Sequence, residues 1–178
     1  MPRFPIPGST GSPRPLRLFG DPVLHAPCRA VTAADGPLEA LVEDLFATMY
    51  AARGVGLAAN QVGVPLRVFV FDCPDEEDRH RRGHVINPRL VESAGPTVRG
   101  PEGCLSLPGF EAGTPRADRV VVAGEDLRGR PVHLTAEGFW ARCLQHECDH
   151  LEGRVCTDLL RGVRRIRARR AARRLTGV

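Results

Sequence analysis

Lysine is missing from this 178-residue chain, and all 25 basic residues are arginine. A whole-chain absence of one cation serves no mechanism, so it reads as a coding bias and carries no functional signal. Long apolar runs are missing as well. None approaches the ~20 residues of a bilayer span, which argues against a membrane-crossing helix. The opening MPRFPIPGSTGSPRP lacks the apolar stretch and small-residue cleavage site of a secretory signal, and it has no amphipathic transit pattern. A cytoplasmic setting is therefore expected, with the six cysteines as reduced thiols. Those cysteines include no CxxC pair, which argues against a four-cysteine zinc knuckle. Internal repeats are also absent.

What is present fits one core. At 42% hydrophobic, the chain has enough apolar material for a single domain with ragged ends. Residues 1–15, rich in Pro, Gly and Ser, read as a flexible arm. Residues 16–160 read as the folded body and 161–178 as a basic C-terminal helix. Charge is unevenly placed: residues 154–178 hold nine arginines against Asp158, a net +8, whereas residues 1–153 hold sixteen arginines against twenty acids, a net −4. The basic character belongs to the tail.

Hydrophobic spacing gives the elements. Leu38, Leu41, Val42, Leu45, Phe46 and Met49 recur at helical intervals, which predicts a helix over 35–53 with Asp35 as N-cap, Pro37 in the first turn and Gly54 as the stop. LRVFVFD (66–72) alternates as a strand and is followed by a polar loop, CPDEEDRHRRG. HVINPRLVESA, DRVVVAGEDL and PVHLTAEG read as short strands, and a second helix is expected over about 136–151. Strands grouped ahead of a late helix predict an α+β fold: short antiparallel or mixed β-sheets around a central helix, with a C-terminal helix after it.

That second helix carries CLQHECDHLEG (143–153). His146 and His150 lie one turn apart on one face, the separation at which two imidazoles bind one ion, and Glu147 sits beside the first where it can pass protons. The alternative is a solvated helix end that happens to contain these residues. A catalytic ion needs a third protein ligand and an open position. Downstream of His150 the chain offers no histidine. Upstream, GPEGCLSLPG (100–109) holds Cys104 in an irregular glycine- and proline-rich backbone, where it is either a thiolate ligand or a small buried hydrophobe. GVGLAANQVG (54–63) ends its small-residue run in an amide, Gln61, and alone would pass for a glycine turn.

Together and in this order, GVGLAANQ, EGCLS and HECDH resemble the three signature motifs of peptide deformylase, and the likeness extends to GDPVL and HLEG, covering about residues 16–160. The resemblance implies a metal-dependent hydrolase that removes the formyl group from formyl-methionyl nascent peptides. It implies Cys104, His146 and His150 as metal ligands and Glu147 as general acid/base. It also implies that the Gln61 amide and the Leu105 N–H hold the formyl oxygen. One ion per chain is expected: Fe(2+) by the resemblance, with Zn(2+), Ni(2+) and Co(2+) also suited to one sulfur and two nitrogens. Ferrous iron beside a thiolate would make activity oxygen-sensitive.

Further residues follow from position. Phe139 and Cys143 precede His146 by seven and three positions on the same helix face, so they either line a methionine pocket or pack ordinarily in the core. Extended backbone at Val55 and Gly56, and at Gly103 to Ser106, could pair with a substrate peptide. Asp149 is expected to support the helix by pairing with an arginine, Arg116 being one candidate, and Cys148 is expected to pack. The arginine-rich tail suits ribosomal RNA by counterion release, or is simply a solvated helix. A monomer with no membrane contact is expected. Rival readings are an HExxH metallopeptidase, a divergent deformylase-like paralogue, and an RNA-binding protein whose metal has four protein ligands.

Overall fold

The computed structural model describes residues 7–8 and 10–177. Five strands, β1 (Gly56–Ala58), β2 (Val68–Pro74), β3 (His80–Gly103), β4 (Glu111–Glu125) and β5 (Pro131–Glu137), form one sheet in sequence order, each antiparallel to the next. Three helices accompany it: α1 (Glu39–Ala51), α2 (Gly138–Leu151) and α3 (Gly162–Thr176).

The alternation read in β2 is what makes the layers. Val68 and Val70 face α1 and pack with Leu41, Val42, Leu45, Phe46 and Met49. Phe69, Phe71 and Cys73 face the other way, onto Ala141, Cys143, Leu144, Cys148 and Leu151 of α2. A strand with period 2 therefore feeds two cores at once. Leu45 and Met49 are fully buried, each worth about 1.5–3 kcal/mol of transfer free energy. The α3 helix touches the body through Ala168 and Ala172, and most of its length is exposed.

The α+β class holds, but the sheet differs in detail from expectation. It is single and wholly antiparallel among the named strands, and the one parallel contact is an isolated bridge, Arg29 to Leu66. The strands are also longer than expected, with β3 running 24 residues. Three register shifts against β4 let so long a strand twist without losing its partner. Much of the expected polar loop is instead the β2–β3 hairpin, where Asp75 bonds Arg79 and Arg81, and Asp72 takes His80 at 2.7 Å. Alternating opposite charges across the ladder make strand out of a sequence that looks like loop.

Helix α1 starts later than the spacing predicts, with Leu38 as its N-cap. Asp35 is occupied elsewhere, accepting from the Thr32 N–H at 2.8 Å and pairing with Arg29. The stop also moves by one residue: Arg53, at φ +56°, takes the left-handed turn that glycine was expected to make. The expected flexible arm lies along α1 in its described part. The Gly8 N–H donates to Glu43, Ser12 to Asp44 and Arg14 to the Thr48 hydroxyl, at 2.7–2.9 Å. The rest of that arm, residues 1–6 and 9, lies outside the described residues.

Candidate active site

Helix α2 is buried on every side from Ala141 to Leu151, although it carries Arg142, Gln145, His146, Glu147, Asp149 and His150. Buried polar groups persist only when partnered, and the β3–β4 hairpin supplies most of the partners. Gln145 clasps the Ala117 backbone, donating to its carbonyl at 2.8 Å and accepting its N–H at 3.1 Å. Arg142 donates to the carbonyls of Thr114 and Val98. The expected pair between Arg116 and Asp149 forms, and Arg154 holds the other Asp149 oxygen at 2.8 Å.

This bracing brings three donors together. Cys104, in the loop after β3, places Sγ 3.2 Å from His150 Nε2, which is 3.1 Å from His146 Nε2. All three ligand atoms lie within 4.8 Å of one another. Among the described residues no fourth His, Cys, Asp or Glu joins them. Cys148 packs between α2 and the sheet, and Cys156 packs in the core beneath α3. The donor set suits a divalent ion of intermediate softness and leaves a coordination position open.

Glu102 fixes the geometry of that set. Its carboxylate accepts from His146 Nδ1 at 2.7 Å, which turns the Nε2 lone pair inward, and it is also held by Arg116 at 2.6 and 2.9 Å and by Arg142 at 3.3 Å. Burial opposes its ionisation, but the bonds from His146 and Arg116 outweigh that and hold Glu102 at about 2. The Asn60 amide secures the other histidine through its backbone, donating to the His150 carbonyl at 2.6 Å.

A cleft of about 890 Å³ opens over the donors. Of the candidates, Cys104, His146, Glu147, Gln61, Leu105, Val55, Gly56, Gly103, Phe139 and Cys143 all line it, and His150 alone lies behind, fully buried. Phe139 is half-exposed at the rim, while Cys143 is buried deeper with its thiol 3.6 Å from the Val55 carbonyl. That carbonyl also accepts from the Asp72 N–H. β1 is the free edge of the sheet, so this side of the cleft has the form of a peptide-pairing edge.

Glu147 occupies a place made for it. A Cβ on Gly56 would lie 2.3 Å from Glu147 Oε1, so only glycine lets the carboxylate sit there. The other oxygen, Oε2, is buried without a hydrogen-bond partner among the described residues. Burial is the main reason its pKa rises to about 7, close to the value that suits proton transfer near neutral pH. Gln61 is locked by its own carbonyl oxygen, which accepts the Ala58 N–H at 3.0 Å. Its Nε2 therefore points toward Ser106 Oγ at 3.1 Å and Cys104 Sγ at 3.7 Å. Burial alone would lower both histidines. Bonds to Cys104 and Glu102 carry His146 well above its ordinary value, while His146 helps push His150 further down.

Sequence reasoning missed Glu102, Arg142 and Asn60, and it named Ser106 for its backbone only, not for the hydroxyl that meets Gln61. Glu102 stood two positions before Cys104 in the motif already singled out, and the need of a ligating histidine for a partner on its second nitrogen was the signal that pointed to it.

A family profile described as "Polypeptide deformylase" matches residues 13–165. The chain is 63% identical to Peptide deformylase 2 of Streptomyces avermitilis over 169 residues, 95% of this chain and 91% of that protein. Among solved structures, a peptide deformylase from Legionella pneumophila superposes with a TM-score of 0.83 at 39% identity, covering 93% of this chain and 96% of that one. A class I type b peptide deformylase from Acinetobacter baumannii, bound to Met-Ala-Ser, gives a TM-score of 0.78 at 30% identity, covering 84% and 99%.

Proposed function

The chain belongs to the polypeptide deformylase family, and from that premise we propose that it hydrolyses the N-terminal formyl group of formyl-methionyl nascent peptides, releasing formate and a methionyl peptide. The observation that carries this reading is the convergence of Cys104, His146 and His150 at the base of a cleft whose walls include Glu147, Gln61 and Leu105. These three donors would hold one ion. Ferrous iron is the occupant we favour, and zinc, nickel and cobalt suit the same donors. When bound, such an ion supplies Lewis-acid charge that polarises the formyl carbonyl and makes water a nucleophile near neutral pH.

The remaining work falls to the chain. Glu147, buried and raised to about 7, takes the proton of the attacking water and hands it to the departing amine. The Gln61 amide and the Leu105 N–H hold the formyl oxygen as it gains negative charge. Cys143 and Phe139 offer the methionine side chain an apolar wall, and Gly56 and Gly103 lie where an extended peptide backbone would run. A Met-Ala-Ser peptide is what the Acinetobacter relative holds in its crystal. Backbone recognition implies tolerance of the residues after methionine. The α3 arginines, almost all without acidic partners among the described residues, support contact with ribosomal RNA near emerging chains. None of the described helices is long and apolar enough to cross a membrane, and the reading is of a cytoplasmic monomer.

The test is formate release from a formyl-Met peptide by protein prepared without oxygen and loaded with ferrous iron. Cys104→Ser should lose metal or activity. Release of free amino acids by peptide-bond cleavage, with no formate, would favour an HExxH metallopeptidase and overturn the proposal.

A further inference from the structure

Two polar hollows flank the braced side of α2, and they differ in charge. One, of about 590 Å³, is lined by Arg67, Arg89, Arg116 and Arg154 together with Asp149 and Glu152; the two acids pair with Arg67, Arg116 and Arg154, which leaves Arg89 alone without an acidic partner among the described residues. The other, of about 610 Å³, lies between the β3–β4 hairpin and the start of α3. Thr97, Arg99, Arg161 and Arg164 line it, with Arg116 and Gln145 behind, and no acidic side chain is among its walls. Arg99 bonds only a backbone carbonyl, that of Gly113 at 2.6 Å. Neither Arg161 nor Arg164 has an acidic partner among the described residues, whereas the next arginine, Arg165, is spent on Asp158. Three uncompensated guanidinium groups thus surround one concavity, on a chain whose first 153 residues are net negative. Cations with no counter-charge in a hollow are arranged to receive an anion.

We propose that this hollow is a docking site for the phosphodiester backbone of RNA, with Arg99, Arg161 and Arg164 reading one run of phosphates. The inference rests on the ribosome-contact reading and adds to it that contact is focused at the hollow and shared with the sheet, where a bare tail would spread it along α3. A membrane surface fits less well, because the exposed apolar residues of α3, Val163, Ile166 and Leu175, are few and do not form a continuous face. A phosphate ridge needs only charge and a groove.

The experiment compares two charge-matched variants of the full metal-loaded protein. One carries Arg99→Glu, Arg161→Glu and Arg164→Glu, the other Arg170→Glu, Arg173→Glu and Arg174→Glu. Anisotropy of a fluorescein-labelled RNA duplex is read across a salt series, with phosphatidylserine vesicles as a parallel arm. Turnover of a free formyl-Met tripeptide and the thermal transition check that each variant is intact. If charge reversal unfolds the first, the Arg→Gln version replaces it. The expected result is that the hollow variant binds RNA on the order of tenfold more weakly, with a salt slope shallower by about 3, while the distal variant loses much less. Equal losses in both, or none in the hollow variant, overturn the hollow and leave the tail reading standing. No RNA binding by the unaltered protein overturns both. A preference for vesicles over RNA overturns the choice of partner.

Discussion

Helices α1 and α2 are of nearly equal length, 13 and 14 residues, and cover opposite faces of one sheet, yet they are held there by different physics. α1 buries leucine, phenylalanine and methionine, and its single buried polar residue, Thr48, bonds its own helix through the Asp44 carbonyl. α2 buries six polar or charged side chains and anchors most of them on a hairpin that follows no helical spacing. The first arrangement is stable because apolar area leaves water. The second is stable only while each partner stays in place, since one missing member strands a charge. Those obligatory partners are also what orient a donor set. Chemistry and fragility therefore share a helix, and α1 supplies the stability that α2 lacks.

The largest effect that sharpens this contrast is Glu147→Gln. It should cut kcat by about 10²–10⁴-fold with the metal retained. Because burial raises the folded pKa of this acid from 4.5 to about 7, the folded metal-free state holds the proton longer than the unfolded one, so wild-type stability falls as pH rises through that window. The variant should then be the more stable one above pH 7, by roughly 3 kcal/mol, and the two should converge below 4.5. Near-normal turnover would sink the assigned role. Next is Arg116→Met, which removes the cation shared by Glu102 and Asp149 and leaves the first to Arg142 and His146 and the second to Arg154; urea unfolding should show a loss of about 3–5 kcal/mol, and a negligible loss would break the comparison. Leu45→Ala on α1 should cost about 2–5 kcal/mol while kcat/KM of the folded protein stays unchanged. Gly56→Ala should displace the Glu147 carboxylate, lowering kcat while costing about 1–3 kcal/mol. Smallest is Cys148→Ala, with a loss of about 1 kcal/mol and still one ion per chain by metal analysis. A drop in metal content there would revive a fourth ligand.

The same contrast decides what was legible in the sequence. α1 announced itself through apolar spacing, and its boundaries erred only where Asp35 and Arg53 made local bonds that composition does not reveal. The convergence of Cys104, His146 and His150 and the elements of the cleft were readable because His146 and His150 are one turn apart and the three motifs occur in order. The Arg116–Asp149 pair was named as one candidate and is present. Glu102, Arg142 and Asn60 escaped because their partners lie 14 to 90 positions away, and a network of that reach has no local period. The length of β3 escaped for a related reason, since cross-strand ion pairs stabilise residues whose own propensities are those of a loop.

Cys104 and His150 stand 46 positions apart, with β4, β5 and most of α2 between them. During synthesis the thiol emerges first and waits alone, unable to chelate, until the two later strands have returned across the sheet and the helix has docked. An ion held by all three donors, as proposed, would therefore be bound only once the hairpin has closed and the helix has docked, and its retention would report that closure.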